Sequence, residues 1–440
     1  MRLTRSLTTL PLVFVMYFNI SGGAFTTEGL VAEAGPGMAL LILGIIPVLW
    51  SLPETLIVGE LASMLPVEGG YYRWVGRAFG PFWAFQNGWL TWLYSLVDMA
   101  IYPVLFNAYL GFFFPDLGAA ARWGIALLVI WGSTVINLRG ALNVGRVSVV
   151  AGVFVLAGFL ALSLAALPQV DHAPWRPFLK PGETPFGALG IAAAIALWNY
   201  IGWDNASTVE GEIVDASRTY PRALSFTLPL VVLGYLVPLL ASLGASDWTT
   251  WREGGWPDIA VSAAGALGKP IAIWLAAAGM VSALALFNSL LLAYSRVPLV
   301  IASDGLLPEA LTRTDARGTP RNAIIFSAAL YSIFALVPFA GLVVADVLLY
   351  ALALFLEFGA LIALRIREPE LRGPFRIPLG TGGVVALATL PALVLVIVVG
   401  LELQDASYGL PAVFGALTAA AVGPVAYLLA VRYRGLKGWD

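Results

Sequence analysis

The sequence has no cysteine, a single histidine (His172) and little charge. Without cysteine there is no disulfide, no iron–sulfur cluster and no thiol nucleophile. One histidine argues against a His-based metal centre or a Ser-His-Asp hydrolase, so no metal site and no cofactor are expected. No Walker motif is present, which disfavours ATP-driven pumping, and nothing supports hydrolase or transferase chemistry. Charged residues are 11% of the 440 and hydrophobic ones 60%, where a soluble domain carries roughly 25% and 45–50%. Mean hydropathy is +0.87. Too little polar surface remains to coat a water-soluble fold, so a bilayer is the expected solvent. The net charge of −2 excludes a nucleic-acid protein that works by bulk positive charge. Polar low-complexity tracts are lacking, which excludes disorder.

What fills the chain instead is long apolar runs. A spanning helix needs ~20 mostly apolar residues. Twelve such stretches lie at about 8–32, 38–62, 82–113, 123–138, 147–168, 187–212, 222–244, 270–297, 322–341, 344–366, 383–402 and 409–431. The alternation of a membrane barrel is absent. The first run follows Arg2 and Arg5 like a signal peptide, but it continues to Ile20 with no cleavage site of the A-x-A kind, so it reads as a retained helix. With the N-terminus cytoplasmic, 19 of the 24 Lys and Arg fall inside. Five fall outside: Arg122, Arg176, Lys180, Arg252 and Lys269. An odd helix count would scramble that bias. The expectation is one transmembrane domain over 1–440, in the cell membrane, with lipid around it and both termini cytoplasmic.

Two of the twelve runs are interrupted. Helix 1 contains Ser21, Gly22, Gly23, Ala24 and Phe25, then Thr26, Thr27 and Glu28. Each mid-span glycine costs ~1 kcal/mol of helix relative to alanine. Helix 6 contains Trp198, Asn199, Tyr200, Ile201, Gly202, Trp203, Asp204 and Asn205. Interruptions at corresponding places in two halves of a membrane protein point to a transporter's binding site. Unwound backbone exposes N–H and C=O groups that a helix would consume. Half-helix ends attract ions of opposite sign. Helices 1–5, at about 8–168, and 6–10, at about 187–366, would be inverted halves, with 11 and 12 added at about 383–431. Taken alone, Gly22 and Gly23 also fit a close-packing site between helices.

At these residues the chain resembles the amino acid–polyamine–organocation transporter superfamily. The resemblance is carried by Ser21 to Phe25, by Gly59 to Tyr72, by Gly80 to Trp89, by Leu197 to Asp204 and by Ser303 to Pro308, in order along the chain. Within the superfamily it is similar to the polyamine-uptake and L-type amino acid branch, through Ser21 to Gly23, Trp50 to Glu54, Asp98 to Phe106 and Leu356 to Phe358. The resemblance implies an all-α, LeuT-like fold of twelve helices with five-plus-five inverted repeats, helices 1 and 6 discontinuous, working by alternating access. It implies that Gly22 and Gly23 meet the substrate head group, that Trp198 closes over substrate, that Ile201 contacts it and that Asp204 is an acid just beyond the break. Two departures stand out. Around Val155 the chain is apolar where many relatives carry a sodium-replacing lysine. Around Leu290, Asn288 and Ser289 it is uncharged where some polyamine-type relatives carry an acid.

Ionisable groups at mid-membrane cost at least ~2.5–3.5 kcal/mol and are functional hypotheses by default. Here they are Glu28, Glu54, Asp98, Asp204, Glu210 and Glu357, with no Lys or Arg at that depth. Unpaired carboxylates in a low dielectric tend to hold a proton. That suits a proton carrier or an organic-cation site. Glu54 and Glu210 also fit hydrogen-bonding to backbone near the cytoplasmic ends, and Glu28 fits a solvated vestibule. Asp98 has Tyr94 and Tyr102 four residues away on one helix face. Trp92, Tyr94, Tyr102, Trp198, Tyr200, Trp203 and Tyr350 offer faces for ammonium binding, or simple packing. Ser282 and Ser289 could join helix 1 carbonyls in a sodium site, although membrane serines usually bond their own backbone.

The expected function is secondary active transport of a small organic amine, a polyamine or an amino acid, with proton-coupled uptake. The expected substrate set is Ser21, Gly22, Gly23, Ala24, Asp98, Tyr102, Trp198, Ile201, Trp203 and Asp204. The expected proton-coupling set is Asp98, Asp204, Glu357 and Glu28. The alternatives are an amino acid permease or exchanger, and a non-transporting receptor on the same fold.

Overall fold

Proline and glycine decide where the helices of this protein begin and break. Gly35 precedes Pro36 and Gly80 precedes Pro81, each proline entering a helix where its missing N–H is not needed. A computed structural model describes residues 3–316, 318–334, 342–403 and 409–436. Arg2, Arg317 and Lys437 of the basic count, and the end of the expected ninth stretch (335–341), lie outside the described residues.

Expected helix 1 is two pieces, α1 (Thr9–Ile20) and α2 (Thr27–Ala34). Helix 2 is α3 (Pro36–Ile46) and α4 (Leu52–Met64), joined through a π-helical turn at Pro47–Ser51. The cause is local. Pro47 cannot donate to the Leu43 carbonyl one turn back, and the Tyr200 hydroxyl donates there instead (2.9 Å). Next comes α5 (Gly70–Phe79), which the length test passed over as loop. It is too short to cross a bilayer and amphipathic, burying Tyr71, Trp74, Val75 and Ala78 while Arg73 and Arg77 face outward.

Helices 3 to 5 are α6 (Pro81–Leu110), α7 (Ala119–Asn137) and α8 (Ala141–Ala166). Helix 6 is α9 (Pro185–Trp198), a break, and a 3₁₀ segment at Asn205–Glu212 where a second α-helical half was expected. Val209 is non-helical inside it. Then follow α10 (Ala216–Leu243), a short outer helix α11 (Trp256–Ala263), α12 (Gly268–Tyr294) and a short α13 (Arg296–Ser303). The chain ends with α14 (Arg321–Phe334), α15 (Leu342–Arg367), α16 (Thr381–Glu402), α17 (Gly409–Ala421) and α18 (Gly423–Leu436). Among the described residues there are no strands, only one isolated bridge between Leu7 and Ile213. That bridge ties the entry of α1 to the end of the 3₁₀ segment.

Nine helices among the described residues are long and apolar enough to cross a membrane. Three shorter apolar ones, Thr9–Ile20, Pro185–Trp198 and Arg321–Phe334, coincide with expected helices 1, 6 and 9. Their outer faces are as greasy as their inner ones. In α8, Val155, Phe159 and Leu162 are buried while Val150, Val153, Leu160 and Leu164 are exposed. A helix apolar all round needs protein on one side and lipid on the other. The chain is a multi-pass helical membrane protein. At its centre α1 packs on α8, α10 and α12, and α6 packs on α12 and α15. This arrangement brings both breaks together.

Candidate functional site

Gly22 and Gly23 have φ of +68° and +117°, a region L side chains rarely adopt. Thr26, a β-branched residue, sits at φ +77°, an outlier for its type. Several hydrogen bonds hold the turn that these residues make. Ser21 N–H and Gly22 N–H both donate to the Tyr17 carbonyl (2.8 and 3.2 Å). Gly23 N–H donates to Ser21 Oγ (3.2 Å). Ser282 Oγ donates to the Gly22 carbonyl (2.6 Å), and Trp256 Nε1 to the Ala24 carbonyl (2.8 Å). A Cβ on Gly23 would stand 2.9 Å from Val155 Cγ1 and 3.0 Å from Phe159 Cε2. Gly23→Ala should therefore lower stability by about 1–3 kcal/mol, read as a drop in melting temperature in detergent. An unchanged melting temperature would refute the close fit.

The second break runs from Asn199 to Asp204 and contains Gly202 at φ +100°. A Cβ there would strike the Asn19 carbonyl of α1. The breaks also bond directly, Thr26 Oγ1 donating to Asn199 Oδ1 (3.0 Å). Between them lies a small cavity. Among the described residues its lining includes Asn19, Ser21, Phe25 and Thr26 from the first break, and Trp198, Asn199, Ile201, Gly202 and Asn205 from the second. Tyr94, Asp98 and Tyr102 line it from α6, Leu286 and Tyr294 from α12, and Asp346 and Tyr350 from α15. No Lys, Arg or His is among them.

Its polar groups form two clusters. In the first, the Asp98 carboxylate accepts from the Tyr102 hydroxyl (2.5 Å) and the Tyr294 hydroxyl (2.9 Å). Asn205 Nδ2 donates to that same Tyr294 hydroxyl (3.2 Å), and Asn205 Oδ1 accepts from Tyr94 (3.1 Å). In the second, the Tyr350 hydroxyl meets Glu54 Oε1 and Asp204 Oδ1 (2.6 Å to the latter) and accepts the Gly202 N–H (2.9 Å). Tyr94 packs edge-on to both Tyr294 and Tyr350, so one aromatic wall joins the clusters. Glu357 accepts from Asn87 Nδ2 (3.4 Å).

Of the sequence-derived substrate set, Ser21, Asp98, Tyr102, Trp198 and Ile201 line the cavity. Gly22, Gly23, Ala24, Trp203 and Asp204 are buried behind it. The Trp203 indole donates to the Tyr200 carbonyl (2.7 Å). Trp92 lies elsewhere, stacked on Phe326. Leu290 is buried off the lining, whereas Leu286 and Tyr294, one turn to either side, are on it. Glu54 meets a tyrosine hydroxyl of α15 rather than cytoplasmic-end backbone. Glu28 is fully buried, not solvated, accepting from Tyr109 (3.2 Å) and from Gly254 N–H (2.9 Å). Ser289 pairs with Ser148 (3.0 Å).

Sequence reasoning missed Asp346, Tyr294, Asn205 and Asn19. Asp346 is the most consequential. It is fully buried, and neither carboxylate oxygen has a hydrogen-bond partner among the described residues. Its signal was a lone acid near the start of an apolar run. Buried cations were missed too. Arg296 is fully buried against Glu212, and Arg365 against Glu60.

The amino acid permease family model matches residues 7–418. The chain is 36% identical over 401 residues to the polyamine transporter PUT1 of Oryza sativa subsp. japonica, covering 90% of this chain and 74% of that one. It is 35% identical over 394 residues to the polyamine transporter RMV1 of Arabidopsis thaliana, covering 89% and 79%. It is 28% identical over 335 residues to the branched-chain amino acid permease BcaP of Lactococcus lactis subsp. cremoris (strain MG1363), covering 69% and 70%. With the family model spanning nearly the whole chain, this protein belongs to the amino acid permease family of membrane transporters.

Proposed function

We propose that the protein takes up an organic cation, a polyamine first of all, by proton-coupled alternating access. The observation that carries this is the cavity's charge. It holds Asp98 and Asp346 among aromatic faces, and no cationic side chain lines it among the described residues. An amino acid would need donors for its carboxylate. The N–H groups of Ser21, Gly22 and Gly23 are already bonded within the turn. An ammonium group needs only carboxylate, carbonyl and ring faces. The names of the rice and Arabidopsis relatives agree with that reading.

Proton coupling is supported by hydrogen-bond counting. A tyrosine hydroxyl has one proton to give. Tyr350 already accepts the Gly202 N–H and faces both Glu54 and Asp204. Two carboxyl groups can share that hydroxyl favourably only if one of them brings its own proton. We assign the coupling proton to this Glu54–Tyr350–Asp204 cluster, with Glu357 beside it. Tyr350→Phe should leave amine binding within about threefold and cut the stimulation by an inward proton gradient about tenfold or more, the scale of one hydrogen bond to a charged group. Uptake as gradient-driven as wild type would remove the cluster from coupling.

In the fold that goes with this function, the twelve apolar segments are twelve crossings of one domain. Helices 1–5 and 6–10 are inverted repeats, 11 and 12 are additions, and both termini are cytoplasmic in the cell membrane. Arg296 with Glu212, Arg365 with Glu60 and Arg73 with Asp304 would hold the inner side. Glu28 with Tyr109 and Gly254 would hold the outer side. The similarity to BcaP favours one second reading, a neutral amino acid permease. Reconstitution separates the two. Labelled spermidine, putrescine, arginine and leucine are presented without sodium, with and without an inward proton gradient. Gradient-driven polyamine uptake is expected, and uptake of leucine alone would overturn the proposal.

A further inference from the structure

A carboxylate that is buried on all sides and bonded to nothing needs a partner from elsewhere. Asp346 comes near that position: it is fully buried, and neither oxygen has a hydrogen-bond partner of good geometry among the described residues. It lies on α15 and faces the same cavity as Asp98 of α6. The two differ in how they are held. Asp98 has both oxygens occupied by the Tyr102 and Tyr294 hydroxyls. Asp346 has no such hydroxyl on either oxygen, and the Trp198 indole lies within reach of it. Tyr102 and Tyr294 are within electrostatic reach of both acids. The cavity therefore carries two carboxyl groups on opposing helices, and no cationic side chain lines it among the described residues.

We propose that Asp346 is the second ammonium post of the site and its determinant of charge number. A ligand with two ammonium groups bridges Asp98 and Asp346. A ligand with one satisfies only Asp98 and leaves Asp346 uncompensated. The proposal deepens the organic-cation reading above and rests on it. It adds that the substrates are amines carrying at least two positive charges, and that one residue outside both helix breaks selects them.

The test is competition against labelled spermidine in proteoliposomes, by putrescine and by N-acetylputrescine, which keeps the carbon chain and loses one charge. In wild type, putrescine should compete about thirtyfold better or more, the scale for leaving one buried charge unpaired. Asp346→Asn should close that gap by weakening putrescine, with N-acetylputrescine changed by less than about threefold. Asp346→Glu should restore most of the preference and shift the optimum among three-, four- and five-carbon diamines. Equal competition by the two ligands in wild type would overturn the proposal, even if no variant folds. A preference that survives Asp346→Asn would overturn it as well. Wild-type protein that moves no amine at all would overturn the organic-cation reading with it. Uptake of singly charged amines without preference would leave that reading standing and remove only the role of Asp346.

Discussion

Asp98→Asn abolishes cation uptake, with a loss of about a hundredfold or more, while the protein still folds. The size follows from truncating one side of a buried charge pair, which costs about 2–5 kcal/mol. Survival of the fold follows from the hydrogen bonds. The new side-chain oxygen can still accept from Tyr102, now 2.5 Å from Asp98 Oδ1. The new amide group can donate to the Tyr294 hydroxyl, which rotates from donor to acceptor. Tyr294 then loses its donation to Asp98 and keeps its contact with Asn205 Nδ2. The shape of the site is kept and its charge removed. Initial uptake rates and affinity for labelled spermidine, alongside a melting curve, check the result. Uptake within about threefold of wild type would place the cation elsewhere.

The sequence made the chain's membrane character and both helix breaks legible, because these are local properties. A length of apolar chain, paired glycines and a run of polar residues need no knowledge of neighbours. Asp98 was legible for the same reason, since Tyr102 is four residues along one helix and does bond it. Asp346 was not, because its meaning is supplied by α6 facing it across the cavity. Glu54 read as an end-of-helix acid until the Tyr350 hydroxyl was found against it, and the two are 296 residues apart. The π-helical turn at Pro47–Ser51 is an intermediate case. Pro47 announces a missing donor, but only the tertiary contact names Tyr200 as the replacement. α5, α11 and α13 were lost to a test built on ~20-residue spans. Gly22 and Gly23 fell where the break was expected, yet they serve the packing of Ser282, Val155 and Phe159 rather than the cavity wall.

Loss of Arg296 should cost a large share of the fold's stability. It has no exposed surface. Its Nε and Nη2 donate to Glu212 Oε1 (3.0 and 2.5 Å), and its Nη1 to the Leu292 carbonyl and Ser295 Oγ (3.0 Å each). Glu68 stands 3.8 Å away in the loop between α4 and α5. Burial, then the charge of Glu212, pushes the Glu68 carboxyl well above the usual range, and Arg296 opposes that rise. Arg296→Met removes that opposing charge and leaves two acids facing each other. Breaking a buried pair from one side costs about 3–5 kcal/mol. Lysine should not rescue it, because one ammonium cannot reproduce the fork of donors. The pH dependence has a definite sign. A carboxyl with a raised folded-state pKa prefers its neutral form when folded, so its penalty is present at high pH and relieved as pH falls through that pKa. The variant should therefore gain stability between about pH 8 and pH 5, and by more than wild type does. Melting temperatures in detergent across that range decide it. A variant as stable as wild type at pH 8, or one that loses stability on acidification, would mean that Arg296 carries no such burden.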